Sequence, residues 1–499
     1  MNLASDLVDS ARAHPDRAAL RAGSDTVAYR ALDEGSAAMA RRLRDRGVAP
    51  GDRVAIMLPN TPEFAVAYFG ALRAGGIVVP MNPLLKSPEV AYYLGDSGAR
   101  LLFVWHAVAG EARAGARQAG AEVVVVEPGG FDGLLASGPS AGDMTDRHAD
   151  DTAVILYTSG TTGHPKGAEL THANLTRNRD VAAEVIRLGP GDVVFGGLPL
   201  FHAFGQTCTL NASVTAGACL TLVQHFRAES ALAVLAEHGV TVLAGVPTIF
   251  RRLLQPPGRE SYDLSRLRLC ISGGASLPGQ VLRDFEAAFG CAVLEGYGMS
   301  ETSPVAAFNP LQGAHKPGSV GIPVPGVRMQ VVDGKGEEVP CGETGEIVIS
   351  GHNVMKGYWR RPEDTAAAIR DGRLHTGDLG RVDEDGYFWI VGRQKDVIIR
   401  GGNNVYPREI EAVLYTHPAV AEAAVVGLPD ADLGEEVGAA VVLAPGAHAT
   451  AGELREYVKS RVAAYKYPRR IWMVDALPKG PTGKVLKQEI APPAGAGRR

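Results

Sequence analysis

Short apolar runs alternate with helix-start signals through the first 126 residues, and this rhythm constrains the fold more than any other feature. Val54–Leu58 has the pattern of a strand. Thr61-Pro62-Glu63 then opens a helix, with a capping residue, a proline in the first turn and an acid near the positive end of the helix dipole. That helix runs to Gly75-Gly76, and Ile77–Val79 begins the next strand. Ser87-Pro88-Glu89 repeats the start signal, and Leu101–Val104 and Val123–Val126 follow as strands. A strand–helix–strand series of this kind predicts an α/β domain built on a mostly parallel sheet covered by helices.

Residues 128–150 are rich in Gly, Ser, Pro and Asp and read as a surface connection. The pattern changes again near Gly392. From Tyr406 onward it reads helix, strand Val420–Val426, strand Val437–Leu443, helix Glu453–Val462 and strand Ile471–Val474, which is enough for a small α+β domain. The expected boundary is Arg393–Asp396, giving domains 1–394 and 395–499. A net charge of −5 offers no polycation for nucleic acid. Five cysteines without CxxC or metal spacing point to a reducing, cytoplasmic setting. The N-terminus lacks the pattern of a signal peptide, and no apolar run reaches the ~18 residues of a membrane span.

Tyr157–Gly167, Tyr-Thr-Ser-Gly-Thr-Thr-Gly-His-Pro-Lys-Gly, follows the apolar run Ala153–Leu156. Its five hydroxyls, three glycines and one lysine suit a cradle for phosphate oxygens, although such clusters also form plain surface loops. It is not a Walker A loop, because Pro165 precedes Lys166 and Gly167 follows it.

Four further segments stand out. Gly296-Tyr-Gly-Met-Ser-Glu-Thr302 sets one carboxylate, Glu301, among hydroxyls and glycines, where it can hold Mg²⁺ against phosphate or simply end a strand. Tyr297 offers a ring for a base. His375-Thr-Gly-Asp378 puts an acid in a turn, suited to ribose hydroxyls or to ordinary turn chemistry. Gly392–Tyr406 mixes charge with Gly401-Gly402 and reads equally as a solvated linker. Pro478–Lys484 places a lysine on a loop near the C-terminus.

In this order the segments resemble the acyl-adenylate-forming enzymes, which comprise the acyl-CoA synthetases, the adenylation domains of nonribosomal peptide synthetases and firefly luciferase. The resemblance runs from about residue 15 to 490. It implies a large N-terminal domain of stacked, helix-covered sheets and a small mobile C-terminal domain. It implies ATP, Mg²⁺ and coenzyme A as reactants, and Thr158, Ser159, Gly160, Thr161, Thr162, Gly163 and Lys166 as the phosphate-holding residues. Thr158 and Glu301 correspond to the magnesium-associated positions. Gly273, Gly274, Ala275 and Tyr297, with Gly298 and Thr302 beside them, match the adenine-contacting segments; Asp378 and Arg393 match the ribose contacts. Lys484 aligns with the catalytic lysine, Lys395 with the hinge, and Gly401 and Gly402 with the pantetheine tunnel.

The implied chemistry explains these residue types. A carboxylate attacks the ATP α-phosphate, pyrophosphate leaves, and AMP becomes the leaving group for a thiol. Two anions must meet, so the site needs cations, here Mg²⁺ and Lys484. Rotation of the C-terminal domain then withdraws Lys484 and opens the thiol's path.

The acid should lie along Pro199–Gln206. Amino-acid-activating relatives carry Asp where this chain has His202, and malonate-activating ones carry Arg where it has Gly296. Ala203, Phe204, Gly245, Val246, Gly274, Gly298, Met299 and Val305 complete an apolar pocket in which glycines leave room for length. Ile399-Arg-Gly-Gly402 is more similar to bacterial fatty-acyl-CoA synthetases than to plant coumarate-CoA ligases. The expectation is therefore an acyl-CoA synthetase for medium or long aliphatic acids. Aryl acids, or a carrier protein in place of CoA, are the alternatives. A non-catalytic nucleotide-binding protein is disfavoured, since Lys166, Glu301, Asp378 and Lys484 are all present.

Overall fold

The structure is a computed structural model that describes residues 1–135, 144–158, 164–313, 315–480 and 485–493. It is a mixed α/β protein with a large N-terminal domain and a smaller C-terminal one. Two large sheets dominate the N-terminal part. The first has seven strands in the order Gly357–Tyr358, Lys166–Thr171, Thr152–Thr158, Ile77–Pro80, Arg53–Met57, Leu101–Trp105 and Glu122–Val126. From Thr152–Thr158 to Glu122–Val126 neighbouring strands are parallel, as the alternating pattern predicts.

The second sheet has nine strands, and Ala292–Gly298, Leu269–Ser272, Val242–Gly245, Val193–Gly196, Cys219–Leu222 and Ala18–Ala22 are parallel neighbours within it. One continuous core joins the two sheets. Helix Pro62–Arg73 lies between them, and every residue from Glu63 to Arg73 is buried, so the helix is apolar on all sides. Its one cation, Arg73, pairs with Asp33, and burial lowers its pKa to about 10. Thr61 stands at the N-cap but makes no capping bond, and Glu63 instead accepts the Gly129 N–H at 2.8 Å. The side-chain cap expected of Thr61 is thus absent, and the second helical residue, Glu63, anchors a loop.

An antiparallel sheet follows, built on Val327–Val332, Gly345–Gly351, Arg373–Val382 and Phe388–Arg393. The C-terminal sheet is built on the long hairpin Val420–Asp430/Gly434–Leu443, with Arg470–Met473 parallel to its second strand. Separate apolar clusters cover its two faces. The five cysteines are free. Among the described residues no helix is long and apolar enough to cross a membrane.

Candidate active site

The described ends of the strongest sequence motif lie on two paired strands. Thr152–Thr158 and Lys166–Thr171 pair antiparallel, and Thr158 faces Lys166 in the last rung. Tyr157, Thr158, Lys166 and Gly167 are therefore strand residues and not loop residues. Ser159, Gly160, Thr161, Thr162 and Gly163 lie outside the described residues. Tyr157 does not turn its hydroxyl to the tip. It donates to Asp96 at 2.7 Å, and burial, then the Asp96 charge, push its pKa well up. Asp96 also accepts from Arg361 at 3.1 Å, and Tyr92 donates to the Pro165 carbonyl at 2.7 Å. The hairpin is thereby tied to helix Ser87–Ser97. Lys166 is buried, pairs with Asp364, and stands 5.5 Å from the centre of the Tyr358 ring.

Glu301 sits in a 3₁₀ turn after strand Ala292–Gly298 and is 7% exposed. Its Oε1 accepts from Thr158 at 3.2 Å and from Tyr358 at 3.0 Å. Burial, then the Glu301 charge, raise the Tyr358 pKa, so the phenol is a neutral donor. The Thr302 hydroxyl is taken up within its own turn. It is fully buried, accepts from the Met299 N–H at 2.9 Å and donates to the Pro304 carbonyl, closing the turn.

Among the described residues no three His, Cys, Asp or Glu converge as a metal cage. One carboxylate and one hydroxyl beside a phosphate hairpin nevertheless fit Mg²⁺, which keeps waters and takes much of its shell from substrate phosphates.

Asp378 lies within a strand and not in a turn. Tyr297 donates to its Oδ2 at 2.7 Å, and Arg393 meets its Oδ1 at 2.9 Å from the neighbouring strand. Burial and the Asp378 charge raise the Tyr297 pKa. Burial alone would lower that of Arg393, but Asp378, Tyr297, Asp396 and Glu301 together more than offset it and the pKa lies above its ordinary value. The three residues form one unit joining two sheets. A carboxylate has lone pairs to spare for two ribose hydroxyls beyond these bonds. Gly274 and Ala275 are exposed on the adjoining loop, and Gly273 is buried behind them.

The acyl segments share one topological origin. Val193–Gly196, Val242–Gly245, Leu269–Ser272 and Ala292–Gly298 run parallel, and the segments holding His202, Val246, Gly273 and Met299 leave their carboxyl ends. Ligands of open α/β sheets bind at such ends. His202, Phe204, Gly273, Gly274, Gly296, Gly298, Met299 and Val305 line one cavity of about 70 Å³. Ala203 is buried against the core instead, and Gly245 and Val246 are not part of the cavity wall.

The expectation that glycines leave room for length is corrected by their neighbours. A Cβ on Gly296 would lie 2.7 Å from the Phe308 ring, one on Gly273 3.1 Å from the Phe204 ring, and one on Gly298 under 2 Å from the Pro304 carbonyl. At these three positions the space beside the glycine is already filled. Sequence reasoning missed Phe308, Cys208, Ala182 and Val185 in this wall, and Tyr358 and Asp364 at the hairpin. It also missed the π-helical turns of Phe204–Asn211, a form found often at functional sites.

In the C-terminal part, Gly401 and Gly402 are the two residues of a tight hairpin between Ile398–Arg400 and Asn403–Val405, with φ of 54° and 80°. Asn-Gly-like turns of this length need positive φ at both positions. Both glycines and Lys395 are exposed. Lys484 lies outside the described residues. Nearby Lys479 pairs with Glu422 at 2.7 Å, and Arg251 of helix Pro247–Leu253 reaches the same carboxylate at 3.4 Å.

Comparison with known proteins covers nearly the whole chain. The family profile described as AMP-binding enzyme matches residues 7–359, and that of the AMP-binding enzyme C-terminal domain matches residues 409–484. The chain is 37% identical to a long-chain-fatty-acid–CoA ligase of Bacillus subtilis (strain 168), over 98% of this chain and 94% of the relative. It is 39% identical to a feruloyl-CoA synthase of Amycolatopsis sp, over 97% of each. ATP-bound MatB from Rhodopseudomonas palustris superposes with a TM-score of 0.92 at 38% identity, over 98% of each chain.

Proposed function

Since the chain belongs to the AMP-binding enzyme family and is an AMP-forming acid–thiol ligase, we propose that it activates a compact, uncharged, apolar carboxylic acid with ATP and passes the acyl group to the thiol of coenzyme A. The observation that carries the choice of acid is the cavity behind His202. Among its described lining residues there is no Asp, Glu, Lys or Arg, and Phe204, Tyr297 and Phe308 bring three rings to its wall. A buried charge without a partner would cost several kcal/mol, so a second carboxylate or an ammonium on the acid is disfavoured.

Size narrows the class. A cavity of about 70 Å³ is small beside the roughly 150 Å³ cavity that holds benzene. An aryl or short to medium acyl group enters with modest side-chain movement; a long chain needs Phe204 or Phe308 to leave its seat. This favours the compact acid over the longer aliphatic one suggested by sequence pattern. The fatty-acid reading keeps the support of Ile399-Arg-Gly-Gly402 and of the similarity to the Bacillus ligase.

In this proposal the hairpin tip and Lys166 hold the β,γ-phosphates, with Lys166 exchanging Asp364 for phosphate oxygen. Thr158 and Glu301 would hold Mg²⁺, which when bound supplies charge neutralisation across the phosphates. Asp378, fixed by Tyr297 and Arg393, takes the ribose. His202 orients the acid carboxylate toward the α-phosphate, and Lys484 bridges the two anions. Lys395 is the hinge about which residues 395–499 rotate, and Gly401-Gly402 then line the thiol's path. Incubation with ATP, CoA and a panel of aryl and aliphatic acids, read by product mass, tests the whole scheme. Acyl-CoA from compact acids is the expected product. Acyl-AMP without thioester would favour a carrier-protein acceptor, and no product with any acid would end the proposal.

A further inference from the structure

We propose that Tyr358 is the positioning residue for the carboxylate of Glu301, turning its free oxygen toward the cation site. The inference rests on the reading of Glu301 as a Mg²⁺-associated residue of an ATP-using enzyme, and adds a residue that reading does not contain.

Two hydroxyls converge on the same atom. Thr158 and Tyr358 both donate to Glu301 Oε1, at 3.2 and 3.0 Å. Among the described residues Oε2 has no hydrogen-bond partner. A carboxylate held by one oxygen in this way cannot spin about its terminal bond without losing both bonds. Its other oxygen therefore points in one direction. The backbone is fixed as well: the Glu301 carbonyl accepts from the Met355 N–H at 2.9 Å.

Tyr358 is in turn held on three sides. It pairs with Ala168 across antiparallel strands, so it is built onto the strand that begins at Lys166. Its N–H donates to Thr365 at 2.8 Å, and the next residue, Trp359, donates its N–H to the Gly167 carbonyl at 2.7 Å. Its ring lies under Lys166. One tyrosine thus ties the phosphate hairpin to the carboxylate across from it. Mg²⁺ demands near-ideal octahedral geometry, so a carboxylate whose angle is fixed in advance binds it better than a free one. Groups that orient metal ligands typically change affinity by 10- to 100-fold when removed.

The test is Tyr358→Phe, which removes the hydroxyl and keeps the ring under Lys166. Mn²⁺ binding is measured by electron paramagnetic resonance with an ATP analogue carrying an α,β-methylene bridge and without acid. The expected result is a rise of about tenfold or more in the Mn²⁺ dissociation constant. The Mg²⁺ concentration for half-maximal adenylation rises in parallel, and saturating Mg²⁺ restores the rate. Added to Glu301→Gln, the same change has no further effect on Mn²⁺ binding. A purely structural role would lower the melting temperature and leave the Mn²⁺ constant alone, and equal Mn²⁺ binding in wild type and Tyr358→Phe overturns the assignment. Wild-type enzyme that takes up no Mn²⁺ with nucleotide overturns both the assignment and the reading beneath it.

Discussion

Phe308 stands where a side chain on Gly296 would begin. The two residues are direct partners across antiparallel strands, and a Cβ on the glycine would come within 2.7 Å of the ring. Phe308 is 6% exposed and forms part of the acyl cavity wall. Phe308→Leu should therefore deepen the cavity and shift the preference toward longer acids. One or two methylenes of new room correspond to roughly 10- to 200-fold in relative kcat/KM. Stability should fall by about 1–2 kcal/mol, as for a large-to-small change that leaves part of its volume empty. Kinetics on an acid series lengthening by two carbons checks this; an unchanged preference would move the limit away from Phe308.

Lys484→Ala should separate the two half-reactions. Removing one preorganised cation at the developing charge costs about 10²–10³ in rate. Adenylation, followed by pyrophosphate release, should fall by that amount, while thioester formation from supplied acyl-AMP is largely spared. Equal loss in both halves would contradict the role given to Lys484.

The N-terminal part touches the C-terminal sheet through Arg251, which donates to the Ala421 carbonyl and meets Glu422 at 3.4 Å. The pair is partly buried, so Arg251→Met should cost about 1–2 kcal/mol of docking, or roughly a 5- to 30-fold change in the docked-to-undocked ratio. Lys479–Glu422 lies within the C-terminal part and should survive. Faster tryptic cleavage at Lys395 or Arg400, with an unchanged far-ultraviolet spectrum, is the expected signature. No change in cleavage would mean that this contact does not hold the two parts together.

Two buried titrating groups oppose each other. Burial raises the Glu295 carboxyl from 4.5 to about 7, against the Leu277 and Gly318 N–H groups that lower it. The folded chain keeps that proton after the unfolded chain has lost it, so stability falls as pH rises from 4.5 to about 7. Burial, then Arg147, lower His172 from 6.5 to about 4, and its Nδ1 accepts the Leu3 N–H. There the unfolded chain protonates first, so stability falls as pH drops from 6.5 to about 4. Each effect is worth about 3 kcal/mol and their signs are opposite. The melting temperature should be nearly flat between these limits. In Glu295→Gln it should rise with pH, and in His172→Asn it should fall. Scanning calorimetry across that range decides it; parallel slopes in both variants would refute the assignment.

Much of this was legible in the chain itself, for identifiable reasons. Val54–Leu58, Ile77–Val79 and Leu101–Val104 read correctly as strands because each is a run of buried apolar residues, the first two followed by a helix-start signal. Asp378 and Thr158 read as turn residues because Thr, Gly and Asp carry turn propensity. Their strand character comes from partners at Arg393 and Lys166, which local pattern does not reveal. The π-helical turns after Ala203 leave no pattern in Phe204–Asn211 that marks them out in sequence. Tyr358 left no signal either, since its meaning lies in a carboxylate 57 positions away. Filled space beside a glycine is likewise invisible until the opposing strand is known.

The hairpin that carries Thr158 and Lys166 belongs to the seven-stranded sheet, whereas the acyl cavity opens at the rim of the nine-stranded one. They come together mainly around the turn at Glu301. Tyr297 belongs to both regions, since it lines the cavity and donates to Asp378, but wall residues such as Phe308 can change without touching the hairpin of the other sheet. Under the proposed function, the chamber for the acid can then be altered at Phe308 while Thr158 and Lys166 keep their places in the last rung of the hairpin.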